Sequence, residues 1–129
     1  MIDDMGIFRT DIAIENPFRP DETRSVKAVM VDTGSELTWV PRSLLEALGV
    51  TRRWTQRFRV ADGRTLERDI GFAIVHAAGA TTIDQVVFAE PTDMVLLGAR
   101  TLEGLNLRID IVSKELVDAG PIITGAAAA

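Results

Sequence analysis

The amino-acid sequence predicts a mainly β protein with one or two short helices. Apolar and polar residues alternate along much of the chain, and this period of two is the pattern of strands that bury one face. Asp62-Gly63 stands between two such alternating runs, and this dipeptide is typical of a tight β-hairpin turn. The helical signals are confined to two short stretches, 41–48 and 99–104. With 129 residues, the chain is long enough for one domain with a modest core and too short for two lobes.

The first half of the chain is predicted to contain three strands and a helix. The strands cover 7–14, 24–31 and 37–40. Two prolines together with Asn and Asp at 16–21 make a turn between the first two strands. Pro41 suits the first turn of a short helix over 41–48, and Gly49 suits its end. Two sets of apolar residues are expected to face the core: Phe8, Ile12 and Ile14 in the first strand, and Leu44, Leu45 and Leu48 in the helix.

The second half of the chain continues with the hairpin and further strands. The hairpin runs from 54–60 through a turn at 61–64 into 65–72. Small residues at 77–80 join two of the later strands. These later strands are predicted over 70–76, 82–89, 94–97, 105–112 and 116–123.

Composition and charge exclude several classes of protein. The formal net charge of −5 and the pI near 4.8 argue against a nucleic-acid binder, which needs a basic face. The absence of cysteine excludes disulfides and thiolate metal sites, and a single histidine, His76, argues against a zinc site or a Ser-His-Asp triad. No signal peptide is visible, and no apolar run is long enough to span a membrane. We therefore expect a cytoplasmic protein without cofactor or metal, with one domain over 1–124 and a disordered Ala-rich tail at 125–129.

One cluster mixes arginines with aromatic residues, a combination that can bind nucleic acids by stacking. Its members are Arg52, Arg53, Trp54, Arg57, Phe58 and Arg59. The acidic total charge favours a simpler interpretation, in which the arginines are solvated. The apolar side chains of this segment then point inward: Trp54, Phe58 and Val60.

The segment with the clearest chemical meaning is 31–36, which reads Val-Asp-Thr-Gly-Ser-Glu. Asp32 directly follows an apolar strand, so a rigid element would present its carboxylate, and Gly34 would let the backbone turn sharply behind it. Thr33 can place a hydroxyl where the neighbouring backbone needs a partner. We predict Asp32 as the catalytic residue, with Thr33, Gly34 and Ser35 completing the active-site loop. The alternative is a structural Asp, because Asp often caps a turn after a strand.

This loop and a later apolar block resemble the retropepsin-like aspartic proteases, which are the retroviral proteases and their single-lobe cellular relatives. In that family an Asp-Thr/Ser-Gly loop is followed by apolar residues and a glycine that opens a helix, as 94–97 and Gly98 are here. The resemblance spans 7–123, and 91–110 is especially similar to the cellular DNA-damage-inducible branch. The loop and the Trp-Val-Pro that follows it are also similar to pepsins. Pepsins carry two Asp loops in one chain and this chain carries one, which favours the single-lobe family and its closed β-barrel.

The resemblance implies an aspartic endopeptidase, a hydrolase that acts as a homodimer on a peptide or protein substrate. The mechanism needs two carboxylates and the chain supplies one, so two copies of Asp32 would meet across a twofold axis. As in aspartic proteases generally, two acids in contact share one proton. Thr33 would hydrogen-bond across the dimer beneath the acids, and Gly34 would offer its carbonyl to the substrate.

The hairpin turn at 61–64 lies where this family has its flap, which closes over an extended substrate. The predicted substrate-binding flap residues are Ala61, Asp62, Gly63 and Arg64. Retroviral flaps are richer in glycine, and the pepsin flap tyrosine has no counterpart because the chain has no Tyr. The alternative is an ordinary surface hairpin, which an Asp-Gly turn forms equally well.

Two further functions compete with a homodimeric protease. The first is a non-catalytic peptide-binding or dimerisation module with the retropepsin fold. An intact Asp-Thr-Gly argues against it, because a binder has no use for a pair of like charges that lowers stability. The second is a monomer that works as one domain of a larger assembly, which a measurement of solution mass would distinguish.

Overall fold

The computed structural model describes residues 7–126 of the chain. Residues 1–6 of the predicted domain and residues 127–129 of the predicted tail lie outside this range. Within it, the chain forms nine strands and two short helices. In chain order these are β1 (Arg9–Glu15), β2 (Thr23–Asp32), β3 (Thr38–Pro41), α1 (Arg42–Ala47), β4 (Trp54–Arg59), β5 (Thr65–Ala77), β6 (Ala80–Ala89), β7 (Leu96–Gly98), α2 (Ala99–Leu105), β8 (Leu107–Asp110) and β9 (Glu115–Asp118).

Six of the strands close into a barrel. They follow the order β1-β2-β7-β3-β6-β5, and β5 pairs back onto β1. The pairs β2–β7 and β3–β6 are parallel and the other pairs are antiparallel. Strand β4 pairs only with β5, so the β4–β5 hairpin stands out from the barrel wall. The predicted fold class, a closed β-barrel with short helices, is confirmed.

The barrel core is built from the apolar faces that the sequence pattern indicates. Phe8, Ile12 and Ile14 are all buried, as predicted for one face of the first strand. Leu45 and Leu48 are buried beneath α1, and Leu44 packs against the same core while half-buried. Gly49 has a φ of +73°, and its N–H bonds to the carbonyl of Glu46 as the helix ends. This left-handed conformation favours glycine and explains why the helix stops there.

The prediction of two separate strands over 65–72 and 70–76 was wrong, because β5 is one continuous strand (Thr65–Ala77). Gly71 lies at its middle, and a Cβ at this position would approach the carbonyl oxygen of Thr51 to 2.8 Å. The missing side chain lets the strand pass under the 50–51 segment without bending. The β4–β5 hairpin and the barrel wall therefore share one continuous strand.

The C-terminal strands are shorter than the predicted 105–112 and 116–123. Helix α2 extends to Leu105, and Asn106 follows it with a φ of +55°. Strand β8 stops at Asp110, because the Asp110 carboxylate accepts hydrogen bonds from Val112 N–H and Ser113 Oγ and so caps a turn. Strands β8 and β9 form a separate two-stranded sheet. No helix within residues 7–126 is long and apolar enough to cross a membrane.

Candidate active site

The loop after β2 holds its aspartate in a defined geometry. Asp32 ends the strand in parallel register with Gly98 of β7. Its Oδ1 accepts the N–H of Gly34 at 2.9 Å, and its carbonyl accepts the N–H of Ser35 at 3.1 Å. The side chain is half-buried, so one carboxylate oxygen is fixed by the loop while the group still reaches solvent. A carboxylate presented in this way can exchange a proton with a bound water.

Helix α2 supports the far side of this loop. The N–H groups of Ala99 and Arg100 donate to the carbonyls of Ser35 and Glu36, at 2.8 Å and 3.0 Å. These are amides of the first turn of a helix, which have no partner inside the helix. A Cβ on Gly98 would lie 2.4 Å from the carbonyl oxygen of Leu37. Gly98 is therefore structural, because the missing side chain lets the helix pack closely behind the loop.

The two hydroxyl residues of the loop differ in their environment. Ser35 is half-buried, and its Oγ donates to the Leu37 carbonyl at 2.9 Å, which stiffens the loop. Thr33 is exposed, and its hydroxyl makes no hydrogen bond within residues 7–126. A free hydroxyl beside Asp32 is available to a second molecule.

A cleft of about 1130 Å³ separates the Asp loop from the β4–β5 hairpin. The predicted site residues that line it are Asp32, Gly34 and Ser35 on one side and Ala61, Asp62 and Arg64 on the other. Thr33 and Gly63 do not line the cleft. The structure thus brings the predicted catalytic loop and the predicted flap to the same cavity, although they are about thirty residues apart in the chain.

Part of the cleft wall is apolar, where β3 and the end of β4 near the hairpin turn meet. Trp39 and Phe58 are in contact, with ring centroids 5.1 Å apart. Leu37 and Leu96 extend this surface beneath the Asp loop. The alternation along β4 predicted that Phe58 points inward. Trp39 was not among the predicted site residues, although it stands on the short strand directly after the loop.

An ion pair joins the stem of the hairpin to the loop before β7. Arg68 of β5 donates to both carboxylate oxygens of Asp93, from Nε at 2.7 Å and from Nη2 at 2.9 Å. Their side chains are 17% and 8% exposed. The guanidinium lowers the pKa of Asp93, and the carboxylate raises the pKa of Arg68. This contact was not predicted, because 25 residues separate the partners and no local pattern marks the pair.

A second charged cluster braces the same stem against helix α1. Arg42 bonds to the carboxylates of Asp69 and Glu90, and Arg52 bonds to Asp69 at 2.8 Å. Hydrogen bonding from Arg42, with smaller contributions from Arg52 and Thr55, lowers the pKa of Asp69 to about 2. Since the ordinary pKa of Asp is 3.8, the stabilisation from this group is complete above that pH and is lost as the pH falls through about 2. The stem therefore stays braced at mildly acidic pH.

Of the remaining candidate groups, Arg57, Phe58, Arg59 and Val60 line the cleft, while His76, Arg52, Arg53 and Trp54 do not. His76 is hydrogen-bonded to Glu15 and Thr81, each at 2.9 Å, and does not line the cavity. Trp54, Phe58 and Val60 are half-buried. The arginines of this segment are exposed, as predicted: Arg52, Arg53, Arg57 and Arg59.

The hairpin tip depends on a glycine in a left-handed conformation. Gly63 has a φ of +88°, and its N–H donates to the Val60 carbonyl. Asp62 accepts hydrogen bonds from Arg64, through the backbone N–H at 3.0 Å and the side-chain Nε at 2.6 Å. These bonds, led by the one from the backbone, lower the pKa of Asp62. The tip is held by its own residues and not by the barrel.

If the β4–β5 hairpin is the predicted flap, Gly63→Val should lower kcat/KM by roughly 10-fold or more, because a branched residue cannot keep the turn at the hairpin tip. The free energy of unfolding should fall by only about 1 kcal/mol, since the tip contributes little to the core. Kinetic efficiency and thermal unfolding should be measured on the same preparations.

Gly79→Val is the matched control for this prediction. Gly79 has a φ of +80° and, like Gly63, open space where a Cβ would stand, but it lies in the β5–β6 turn away from the cleft. It should lose similar stability and keep its kcat/KM. Unchanged efficiency of Gly63→Val would mean that the β4–β5 hairpin is an ordinary surface turn.

Comparison with known proteins agrees with this geometry. A model of the aspartyl protease family matches residues 22–101, which include both the Asp loop and Gly98. Among solved structures, the solution structure of simian foamy virus (mac) protease is similar, with a TM-score of 0.50 over 74% of this chain and 91% of that chain. The two sequences are 18% identical, so this likeness concerns the fold. A search among curated proteins found no match. The resemblance to retropepsin-like proteases is confirmed, and the chain belongs to the aspartyl protease family.

Proposed function

We propose that this protein is an aspartic endopeptidase that hydrolyses peptide bonds with a water activated between two Asp32 carboxylates of a homodimer. The observation that carries the proposal is the position of Asp32, half-buried at the end of β2 and lining a cleft whose opposite side is formed by the β4–β5 hairpin. The family supports peptide hydrolysis, and the single Asp loop supports a second copy as the source of the other carboxylate.

The proposed reaction follows from two acids that share one proton. The charged carboxylate takes a proton from the water as the water oxygen attacks the peptide carbonyl carbon. The protonated carboxylate gives its proton to the carbonyl oxygen. In the second step a proton moves to the peptide nitrogen, the carbon–nitrogen bond breaks, and the other carboxylate recovers a proton from the diol. The pair returns to its singly protonated state, so no other acid or base is needed.

The surroundings of Asp32 support assembly across a twofold axis. Thr33 is exposed and its hydroxyl is unpaired within residues 7–126, so it is free to bond to the loop of a second copy. Gly34 is also exposed beside the cleft, where its carbonyl would meet an extended substrate. The Asp62-Gly63 hairpin would then close over the substrate as a flap.

The dimer predicts a specific result when active and inactive chains are mixed. At a concentration where all chains are dimeric, adding an equal amount of Asp32→Asn to the native chain should reduce the activity to roughly half after subunit exchange, because mixed dimers hold one carboxylate. Dilution should lower the specific activity of the native chain, since association assembles the site.

Sedimentation supplies the physical control for the mixing experiment. The native chain and Asp32→Asn should both sediment as dimers at high micromolar concentration. A monomer with full activity that is unaffected by the variant would overturn the dimer. A monomer that is inactive alone would leave the second candidate, one domain of a larger assembly.

A further inference from the structure

A directed chain of hydrogen bonds runs behind the Asp loop and ends at an acid outside the cleft. Gly98 N–H donates to Thr38 Oγ1 at 2.9 Å, and Thr38 Oγ1 lies 2.6 Å from Thr101 Oγ1. Thr101 Oγ1 in turn lies 3.0 Å from Asp84 Oδ2. Both threonine side chains are fully buried. The chain thus joins four elements: β7, β3, α2 and β6.

The two ends of the chain determine its direction. The Gly98 amide can only donate, so Thr38 accepts at that end. The Asp84 carboxylate can only accept, so Thr101 uses its one hydroxyl hydrogen there. Thr38 must therefore donate to Thr101, and each buried hydroxyl gives one bond and receives one. The whole arrangement depends on an acceptor at position 84.

The elements that this chain of hydrogen bonds connects include those that position Asp32. Gly98 is the strand partner of Asp32, and the next two amides along the chain bond to carbonyls of the Asp loop. Thr101 lies on the same helix as those amides and is tied to β6 by Asp84. Movement of the helix would therefore move the Asp loop with it.

We propose that Asp84 is a positioning residue that controls where the Asp32 carboxylate stands, acting through Thr101, Thr38 and Gly98. Asp84 is half-buried and does not line the cleft, so it would not touch the substrate. The catalytic part of this inference rests on the proposed function. A pair of acids needs a defined separation, and displacement of about 1 Å can lower the rate by up to roughly 100-fold.

Four substitutions test this chain of hydrogen bonds, two at its Asp84 end and two at Thr101 in its interior. Asp84→Ala removes the acceptor, and Thr101→Val removes the central hydroxyl while keeping the side-chain shape. Each should lower kcat by roughly 10-fold with little change in KM. Asp84→Asn and Thr101→Ser keep an acceptor oxygen and a hydroxyl, so they should retain most of the activity. The double variant Asp84→Ala/Thr101→Val should have a kcat no lower than that of the less active single variant, because both substitutions interrupt the same chain of hydrogen bonds.

The pH profile separates positioning from simple loss of folded protein. When the two Asp32 carboxylates of the proposed dimer are held less closely together, they interact less and their two apparent pKa values become more similar. The bell-shaped plot of activity against pH should therefore be narrower for Asp84→Ala than for the native chain. Loss of folded protein alone would lower the profile without changing its width. Asp110→Ala is the matched control, because Asp110 also caps nearby donors but lies in the β8–β9 turn. It should leave kcat and the profile width unchanged.

Amide hydrogen exchange tests the same chain of hydrogen bonds without any assay of peptidase activity. In folded Asp84→Ala the N–H groups of Gly98 and Arg100 should exchange at least roughly 10-fold faster than in the native chain, while Asp110→Ala should not change them. If Asp84→Ala does not fold, Thr101→Val should give the same acceleration. Unchanged exchange in the folded variants, or a kcat loss equal to the unfolded fraction, would overturn the inference. A native chain without Asp32-dependent activity would instead refute the proposed function, and the exchange result would still decide the role of Asp84.

Discussion

Replacing Asp32 with Asn is expected to lower peptidase activity by roughly 1000-fold or more while leaving the barrel and the proposed dimer intact. The amide keeps the size of the side chain and can still accept the bond from Gly34 N–H. It cannot take a proton from water or carry the shared proton. An unbiased peptide-library digest with the native chain and the variant measures this effect, because such a library samples many cleavage sites at once.

The proposed mechanism also predicts a bell-shaped pH profile for the native chain on the acid side of neutrality, because only a singly protonated pair of acids would be active. Thermal unfolding and sedimentation of Asp32→Asn serve as controls for fold and assembly. Cleavage near the native rate by the variant would refute the aspartic-protease mechanism. Absence of cleavage by the native chain, together with retained peptide binding, would favour the non-catalytic module.

Gly98→Ala is expected to give the largest loss of stability, about 3 kcal/mol in the free energy of unfolding. Gly98 has a φ of −92°, so alanine meets no backbone strain there. The cost is steric, because the new Cβ would stand 2.4 Å from the Leu37 carbonyl oxygen and 2.9 Å from that of Ser35. Both are backbone atoms of the Asp loop, which cannot rotate away as a side chain would.

Denaturant unfolding at one protein concentration measures this loss without interference from association. Gly125→Ala is the control, since a Cβ there meets nothing within 4 Å, and its effect should stay within about 0.5 kcal/mol. The surviving folded fraction of Gly98→Ala should also show reduced kcat, because relief of the clash displaces the loop that carries Asp32. Equal stability of the two variants would show that α2 does not pack against the loop as described.

The features that sequence reasoning predicted well have local causes. The Asp62-Gly63 turn forms because glycine takes a positive φ at no steric cost, and the flanking alternation sets the two strands. The same is true of the first strand and of helix α1, whose buried faces follow directly from residue spacing. The prediction of the C-terminal strands was less accurate, because the apolar residues spaced along 107–112 do not reveal that Asp110 caps a turn.

The sequence by itself determined the mainly β class, the succession of strands along the chain, the Asp32 loop and the hairpin, since each depends on neighbours within a few residues. Only the tertiary structure decided which distant groups support that loop. The Arg68–Asp93 pair and the Thr38–Thr101–Asp84 chain join residues 25, 63 and 17 positions apart. Their hydrogen bonds exist because barrel closure places β3, β6 and α2 side by side. A buried hydroxyl or an inward-facing charge becomes stable only when such closure supplies its partner.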